Sequence, residues 1–300
     1  MLMCFIINLH NFINHHIHLL TRILFLLSRL RKETYNMKHS TKDEQAKESN
    51  LKTKSKLKLV WTIISSLLIA VLFIGGLVLM FNEKITSKVI DSHSQDYIRS
   101  AKIAPDNLKA NEEKEVSYDT SNVRAINSAE LLEEFVKESN HFADLPVIGG
   151  LAIPEVGMNL PIFKGLDNSS LAVGAGTAKP NQSLGTGNFA LASHSLFYGA
   201  EYDGLLFKPL HKVNPGMKIY ARDASNIYEY TTTRVFVVDP DAGHVMDDSE
   251  GDKMITLITC TDDAATQRLI VRGELSASYP IDKASKEITN FFGSDWTRFY

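Results

Sequence analysis

Hydrophobic and polar positions divide the chain into three unlike regions. An uncharged apolar run of 23 residues, LVWTIISSLLIAVLFIGGLVLMF, occupies Leu59–Phe81. About 20 apolar residues suffice for a helix to cross a bilayer, and a buried globular helix of this length would show a polar face. Residues 82–140 are mostly polar, and from Val147 onward apolar residues alternate with polar ones. The pattern predicts one transmembrane helix, a polar connection and a β-rich domain.

The alternating region predicts the fold class. Short runs of strand-forming residues are separated by Gly, Pro, Asn and Asp, as in turns between strands. These runs include GGLAIPEV, NLPIFKG, GNFALASH, MKIYARD, IYEYTTTRVFVV, MITLITC and RLIVRGEL. Seven or more such strands, without a fixed repeat or a βαβ rhythm, indicate an all-β barrel or sandwich.

Charges beside the apolar run predict its orientation. Five lysines precede the run, whereas only Glu83 and Lys84 follow it closely. Positive charge is kept on the cytoplasmic side, so we expect the N-terminus in the cytoplasm and the β-rich domain outside the cell. No small-x-small cleavage pattern follows, which favours an uncleaved, single-pass signal anchor in the cell membrane. The five lysines are Lys47, Lys52, Lys54, Lys56 and Lys58.

These changes of pattern give the predicted domains. Residues 1–58 form a cytoplasmic segment, 59–81 the transmembrane signal anchor, 82–140 an extracytoplasmic stalk with a helix, and 141–300 the β domain with a C-terminal helix. The stalk helix is expected at Ser128–Ser139, where apolar residues follow helical spacing. The C-terminal helix is expected from the spacing of four apolar side chains. They are Ile288, Phe291, Phe292 and Trp296.

Residues 1–36 allow two interpretations. The stretch is apolar but is interrupted by His and Asn residues, which fits a metal-binding tract or a second membrane span. Alternatively, translation begins at Met37, which opens the Lys-rich stretch that a signal anchor requires, and we favour this interpretation. Both leave the β domain on the same side of the membrane.

Charge and cysteine content narrow the chemistry. The net charge is −3, which gives no electrostatic support for nucleic-acid binding. The two cysteines are Cys4, ahead of any domain, and Cys260, at the end of a β-type run. A disulfide between them is not expected, so Cys260 is predicted to be a free thiol.

The region around Cys260 predicts a hairpin. MITLITC and RLIVRGEL read as consecutive antiparallel strands joined by the loop Thr261–Gln267. Cys260 then ends one strand as Arg268 begins the next, and paired residues have Cβ atoms about 5 Å apart. Arg272 points to the same face further along and is expected to be a solvated charge. The plain alternative is a buried, inert cysteine beside a surface arginine.

A nucleophilic cysteine needs a proton-transfer partner. On the strand GNFALASH, Ala190, Ala192 and His194 share one face, and the two small side chains leave room for an extended ligand. His194 is therefore the favoured partner and His244, in a loop, comes next. His211 lies between lysines and reads as solvated surface. His93 and His141 precede the β region.

Thiol, imidazole and guanidinium together suit acyl transfer. A thiolate attacks a carbonyl carbon, a histidine passes a proton to the departing amine, and an arginine stabilises the charge on the carbonyl oxygen. The sequence contains no G-x-S-x-G, H-E-x-x-H, Walker or C-x-x-C motif. Serine hydrolase, zincin, nucleotide-binding and thioredoxin interpretations therefore lack a basis.

These segments resemble the sortases, membrane-anchored transpeptidases of Gram-positive bacteria. TLITC matches their TLxTC signature, GNFALASHS their histidine strand and ATQRLIVRGEL their arginine strand. The stretch IGGLAIPEVGMNLPIFKGLDNSSLAVGAGT is similar to the opening strands of class A members of streptococcal and lactic-acid-bacterial type. The resemblance covers about Val147 to Pro280, plus the anchor.

The resemblance implies a fold and an activity. The fold would be an eight-stranded sortase β-barrel with short helices, preceded by one transmembrane helix. The activity would be cleavage of LPxTG-type sorting signals of surface proteins between Thr and Gly. A thioacyl intermediate would then pass to an amine of lipid II or of the peptidoglycan cross-bridge.

The resemblance also implies roles for particular residues. Cys260 would be the nucleophile, His194 the acid/base and Arg268 the partner of the oxyanion or substrate carbonyl. Ala192, Thr259 and the loop from Asp239 to Glu250 would line the peptide groove. Within that loop, Val245 and Met246 are the expected substrate contacts.

No cofactor is expected. Some class A sortases carry an acidic cluster before the histidine strand that helps to hold calcium, but Ala178–Gly187 contains Lys179 and no carboxylate. The acidic residues of the next loop are expected to be solvated. They are Asp241, Asp247, Asp248 and Glu250.

Two alternatives stay open at this point. One is a sortase of another class, for example a pilin-polymerising enzyme, although no second C-terminal membrane span is visible. The other is a non-enzymatic surface-binding domain on a stalk, with Cys260 buried and inert.

Overall fold

A computed structural model describes residues 42–99, 104–119, 144–197 and 199–292. The predicted helix Ser128–Ser139, the tract 1–36 and Trp296 lie outside the described residues. The described residues from Leu77 onward form one compact unit.

The apolar run lies within a long helix, α1, which spans Lys42–Arg99. Among the described residues, one helical segment is long and apolar enough to cross a membrane, Lys58–Leu77, with a mean hydropathy of 2.3. Its large side chains are exposed, including Trp61 at 68% and Leu72 at 66%. Such an exposed apolar surface fits a membrane interior.

The described part of the predicted stalk packs against the barrel, unlike a free stalk. Ile90 and Tyr97 of α1 are buried. The Tyr97 hydroxyl accepts a hydrogen bond from the Leu145 amide at 3.0 Å, and its ring meets the edge of Phe163 with centroids 4.9 Å apart. A second helix, α2 (Pro105–Glu112), buries Leu108 against the same domain.

Within the described residues, eight strands close into a barrel in the order β1-β2-β3-β4-β7-β8-β6-β5. Neighbouring strands are antiparallel except for the parallel pairs β2–β3 and β4–β7. The strands are β1 (Val147–Ile153), β2 (Met158–Phe163), β3 (Ala175–Thr177), β4 (Gly187–Ala192), β5 (Lys218–Arg222), β6 (Asn226–Val238), β7 (Lys253–Cys260) and β8 (Arg268–Pro280).

Short helical turns join the strands. Helix α3 (Asn168–Val173) connects β2 to β3 and is capped by Asp167, whose carboxylate accepts from the Ser169 amide at 2.9 Å. Turns of 3-10 helix occur at Pro154–Val156, Ala200–Tyr202, Lys208–Lys212, Gly243–Met246 and Ile281–Lys283. The turns at Lys208–Lys212 and Gly243–Met246 lie beside the site described below.

The barrel interior is filled by inward-facing residues of the strands. Strand β7 has the pattern of a central strand, with Ile255 and Leu257 fully buried, because β4 and β8 flank it on both sides. The core also receives side chains from every other strand and from α1. Examples are Leu151, Phe163, Ala175, Leu191, Ile219, Tyr230 and Val271.

The C-terminal helix begins as predicted but is short in the described residues. Helix α4 spans Lys286–Asn290, and the Ser285 hydroxyl caps it by accepting from the Ile288 amide at 3.3 Å. Phe292 is 5% exposed and packs with Ala152 and Ile227 on the outside of the barrel. The apolar spacing therefore marks a face that covers strands β1 and β6.

Candidate active site

The β7–β8 hairpin has the predicted register. Cys260 ends β7 and lies directly opposite Arg268, the first residue of β8. The loop 261–267 between them is closed by a hydrogen bond from the Thr261 amide to the Gln267 carbonyl at 3.2 Å. The predicted pairing of Cys260 with Arg268 across the hairpin is confirmed.

The connecting loop also fixes the arginine. The Arg268 Nη1 atom donates to the carbonyls of Ala265 at 2.8 Å and Gln267 at 3.2 Å. Asp262 holds the loop in turn, because its carboxylate accepts from the amide and the hydroxyl of Thr266. Both bonds of Arg268 come from Nη1, so within the described residues they leave Nε and Nη2 available to a substrate oxygen.

Burial governs the electrostatics of the thiol. Cys260 is free and half-buried, and desolvation raises the pKa of its thiol while the nearby Arg268 lowers it. The net direction is upward, so the thiol is mainly uncharged at neutral pH. A nucleophilic attack by this sulfur therefore needs a base that takes its proton.

His194 lies level with Cys260 on the neighbouring strand. Strands β4 and β7 are parallel and pair Ala192 with Ile258, and the ladder continues when the Ser193 amide donates to the Ile258 carbonyl at 3.3 Å. Two residues beyond Ala192, the backbone of His194 therefore reaches the level of Cys260. The Phe207 amide donates to the His194 carbonyl at 3.0 Å and fixes this position.

The imidazole of His194 is desolvated. The residue is 6% exposed, and Nε2 is buried without a hydrogen-bond partner in the structure. Burial lowers the pKa of His194 to about 4, so the ring is neutral at pH 7. A neutral imidazole with an unpartnered nitrogen is a group that accepts a proton during a reaction.

A second histidine lies beside the end of β7. The ring of His211 donates a hydrogen bond to the backbone carbonyl of Cys260, and its Nε2 lies 3.3 Å from Ser195 Oγ. Burial and the charge of Lys208 lower the pKa of His211, and the bond to Cys260 partly opposes this. The ring also packs edge-on against Phe197. His211 is thus exposed, as expected of a surface histidine, but it also contacts Ser195, Phe197 and the end of β7.

A groove of about 340 Å³ begins at Arg268 and runs under the β6–β7 connection. Ala192, Val245 and Met246 line it, as the sequence predicted for substrate contacts. The floor comes from β4, β7 and β8, and the wall is the connection from Asp239 to Met246. The small Ala192 keeps the floor open beside His194.

Thr259 lies elsewhere than expected. It is 2% exposed, and its hydroxyl donates to the Ser193 carbonyl at 2.8 Å. The side chain therefore joins β7 to the residue before His194 and does not line the groove. Thr259 is next to Cys260 in the sequence, but neighbouring residues of a strand point to opposite faces. The two side chains therefore lie on different faces of β7.

Arg272 also differs from its expected role as a solvated charge. It is half-buried, and its Nη2 donates to the Val245 carbonyl at 2.7 Å. Burial and the neighbouring Arg234 lower the pKa of Arg272. The guanidinium therefore contacts the wall of the groove.

A lysine links the segment before β4 to the β6–β7 connection. Lys179, before β4, pairs with Asp248 of the β6–β7 connection at 2.6 Å. The Asn188 amide donates to the same Asp248 oxygen at 2.6 Å, and both bonds lower the pKa of this carboxyl. Among the described residues, no group of three or more His, Cys, Asp or Glu is arranged to hold a metal ion. These residues do not fit a calcium site.

Comparison with known proteins agrees with the geometry. A family model described as the sortase domain matches residues 151–276. Sortase A of Streptococcus agalactiae is 39% identical over 249 residues, which cover 83% of this chain and 99% of that protein. The chain belongs to the sortase family. The predicted class A assignment, the eight-stranded sortase barrel and the cysteine transpeptidase activity are thereby confirmed, and a non-enzymatic binding domain is excluded.

A second relative agrees with this assignment. Sortase A of Listeria monocytogenes is 32% identical over 222 residues, covering 73% of this chain and 94% of that protein. A solved structure of Listeria monocytogenes sortase A is 37% identical and covers 49% of this chain and 96% of its own, with a TM-score of 0.44.

Several residues of this sortase site escaped sequence reasoning. The contacts of His211 and Arg272 cross 16 and 27 positions of the chain, so no local spacing indicates them. A weak signal existed at Asn188, a polar residue in the strand GNFALA that is 1% exposed. Buried amides in a strand require partners, and Asn188 has them in the loop that walls the groove.

Proposed function

We propose that this sortase cleaves LPxTG-type sorting signals between Thr and Gly and joins the acyl fragment to an amine of lipid II or a peptidoglycan cross-bridge. The observation that carries the proposal is the pairing of Cys260 with Arg268, because Arg268 also lines a groove of mostly small and apolar residues. An extended peptide that enters this groove brings a carbonyl carbon to the sulfur and its oxygen to the guanidinium. The groove suits the apolar start of such a signal.

In the proposed first step, His194 takes the proton of the Cys260 thiol as the sulfur bonds to the threonine carbonyl carbon. Nε and Nη2 of Arg268 donate to the oxyanion that forms. The C–N bond to glycine then breaks, and the imidazolium returns its proton to the departing amine. The product is a thioester of Cys260. Because His194 is buried, its protonated form is short-lived, which favours rapid return of the proton.

In the proposed second step, an amine attacks the thioester carbonyl. The amine loses its proton to the neutral His194, the C–S bond breaks, and the released thiolate takes that proton back. Sulfur, histidine and arginine thus return to their starting states. The acceptor amine is the only group consumed apart from the sorting signal.

Membrane attachment is part of the proposal. The apolar segment Lys58–Leu77 anchors the enzyme, with the lysine-rich side in the cytoplasm and the barrel outside. Protease added to intact, wall-stripped cells should degrade the barrel. Protection of the barrel until the cells are lysed would contradict this orientation.

The activity is tested with the full-length chain in detergent. An LPxTG peptide and a glycine-based amine are incubated with it, and products are identified by mass spectrometry. We expect cleavage between Thr and Gly and a new Thr–amine bond. A matched peptide with Thr and Gly exchanged is the control and should stay intact. Cleavage at another bond, or no transfer to the amine, would contradict the proposal.

A further inference from the structure

A polar cluster lies at the part of the β7–β8 hairpin away from Cys260, and the proposed reaction does not use it. Thr256 of β7 pairs with Arg272 of β8, and Asn188 of β4 lies beside Thr256. We call Asn188, Thr256 and Arg272 the tether cluster. Asn188 is 1% exposed and Thr256 is fully buried, so their polar groups are screened from water.

The tether cluster is joined by its own hydrogen bonds. The Thr256 hydroxyl donates to Asn188 Oδ1 at 2.6 Å, and Arg272 Nε lies 3.4 Å from the Thr256 hydroxyl oxygen, to which it donates. These bonds fix the orientation of the amide and of the guanidinium. A buried network of this kind specifies one arrangement when every member is satisfied.

The tether cluster bonds to the backbone of the connection between β6 and β7. Arg272 Nη2 and Asn188 Nδ2 donate to one acceptor, the Val245 carbonyl, at 2.7 and 2.9 Å. Asn188 Nδ2 also donates to the Asp247 carbonyl at 3.2 Å. Both carbonyls belong to the turn Gly243–Met246 and the residue after it, in the connection from β6 to β7.

That turn is the wall of the groove. Val245 and Met246 line the groove, together with the residues that lead into the turn. The backbone bonds of the turn are local: the Gly243 amide donates to Asp241 at 2.7 Å, Val245 to Ala242 at 3.2 Å and Asp247 to His244 at 3.2 Å. Its position relative to the floor of the groove therefore depends on the tether cluster, together with the bonds of Asp248 to Lys179 and to the Asn188 amide.

We propose that Arg272, together with Asn188 and Thr256, positions the wall of the groove and thereby sets the affinity for the peptide, without taking part in the chemistry. This inference rests on the proposed function only in that the peptide occupies the groove. Arg272 acts through the Val245 carbonyl, so it is a positioning residue. Its loss should weaken peptide binding more than it slows the acyl transfer.

Arg234 offers a matched control. It lies directly opposite Arg272 on β6, carries the same charge, and is exposed. Its guanidinium packs over the Phe236 ring at 4.8 Å, while that of Arg272 lies 5.7 Å from the same ring. Among the described contacts, only Arg272 of this pair bonds to the turn.

The experiment compares Arg272→Met with Arg234→Met in the full-length chain, using an LPxTG peptide. For Arg272→Met we expect KM to rise about tenfold, because a charge-assisted hydrogen bond to a buried carbonyl is lost, with kcat within about twofold. Arg272→Lys, which keeps one cationic donor, should recover part of the affinity. Arg234→Met should leave both constants unchanged.

Hydrogen exchange supplies a readout that does not depend on any peptide. In Arg272→Met, amides of residues 239–252 should exchange faster, while those of β4 and β7 should not. If the enzyme turned over no LPxTG peptide, the proposed function would fail and this readout would still decide the inference. Unchanged exchange in residues 239–252, or a fall in kcat with KM unchanged, would overturn it. If Arg272→Met did not fold, Arg272→Lys and the same exchange measurement would decide.

Discussion

The two ends of one pair of strands serve different purposes in this sortase. At the first end, beside the connecting loop, Cys260 faces Arg268; at what we call the second end, four residues further from that loop on each strand, Thr256 faces Arg272. The pairs are about 13 Å apart at a rise of about 3.3 Å per residue. In the first pair, a half-buried thiol lies opposite an arginine that lines the groove and keeps donors for a ligand. In the second pair, Arg272 donates a hydrogen bond to the loop that forms the wall of the groove.

The difference lies in what surrounds each arginine. Arg268 is bonded through one terminal nitrogen to its own loop, so it is oriented but still has donors for a ligand. Arg272 donates to the hydroxyl of the buried Thr256 and to the carbonyl of the buried Val245. Two arginines on one strand face can thus divide chemistry from binding. Variants at the first end should change kcat, and variants at the second end should change KM.

Removing the sulfur should have the largest effect. Cys260→Ala should lower kcat by about 10⁴-fold or more, because no other group of the pair can form the thioester. Turnover is measured with a fluorogenic LPxTG peptide. The same variant should bind the peptide with unchanged affinity by fluorescence anisotropy, since the wall of the groove is intact. Appreciable turnover by the purified variant would remove Cys260 from the role of nucleophile.

Replacing the buried imidazole should cost almost as much. His194→Gln should lower kcat by about 10³-fold, because the proton transfers act together with the nucleophile. KM should change little. The control is His244→Gln, since His244 is exposed on the groove wall. A severe effect of His244→Gln with a mild effect of His194→Gln would reverse the assignment of the base.

The same histidine makes stability depend on pH. Its pKa falls from about 6.5 to about 4 on folding, so below pH 6.5 the unfolded chain binds a proton that the folded chain does not. The free energy of unfolding of the wild type should therefore decrease from pH 6.5 towards pH 4, and that of His194→Gln should decrease less. Urea titrations at several pH values measure this, and parallel curves for the two proteins would contradict the burial of His194.

Arg268 should come next in effect. Arg268→Ala should lower kcat by about 10² to 10³-fold, as is typical when an oxyanion donor is lost. Arg268→Lys should recover only part, since lysine lacks the planar set of donors. Because Arg268 lowers the pKa of the Cys260 thiol, Arg268→Ala should also move the pH profile of thiol alkylation by iodoacetamide to higher pH. Arg272→Met should leave that profile in place. An equal shift in both variants would erase the distinction between the two ends.

The sequence alone predicted the first end of the hairpin and missed the second. Two strand-like runs joined by a short loop leave little freedom in register, so the pairing of Cys260 with Arg268 followed from their positions. The partner of Arg272 is a backbone carbonyl in a distant turn, and backbone acceptors carry no sequence signature. Only the loop conformation shows which carbonyl is near.

The sequence did not show that part of the predicted stalk packs against the barrel, for a related reason. The residues of α1 that meet the barrel recur at helical spacing, but small polar side chains stand among them. They are Thr86, Ile90, Ser94 and Tyr97, all nearly inaccessible to solvent. A stripe in which Thr and Ser alternate with apolar residues does not stand out as amphipathic, so the segment looked solvated. The sequence pattern does not show that the barrel covers this face of the helix.

Loss of the ion pair between Asp248 and Lys179 should also weaken peptide binding, but less than loss of Arg272 does. Asp248→Asn should raise KM about fivefold, because the carboxylate bonds Lys179 and the Asn188 amide but is itself exposed. Calcium chelation should leave both constants unchanged, since a lysine already pairs with this carboxylate. Asp247→Asn is the matched control, as Asp247 is an exposed neighbour. A several-fold loss of rate in chelator, restored by calcium, would contradict this prediction.

The smallest effect is expected at His211, which lies beside the end of β7 that carries Cys260. His211 bonds the Cys260 carbonyl and lies near Ser195, the residue after His194, so it joins the backbones that carry the two catalytic side chains. An exposed hydrogen bond of this kind contributes about 0.5 to 1.5 kcal/mol. His211→Ala should therefore lower kcat about threefold without changing KM, and His211→Gln should recover most of it.

Ser195→Ala provides the second arm of this test. We expect the ring to act by joining the two backbones. In that case His211→Ala and Ser195→Ala break the same connection, so the double variant should have the same kcat as His211→Ala alone. Steady-state kinetics with one LPxTG peptide decide the matter. A rise in KM with kcat unchanged would place His211 with the groove wall instead. That outcome would mean that the division between chemistry and binding does not follow the two ends of the hairpin.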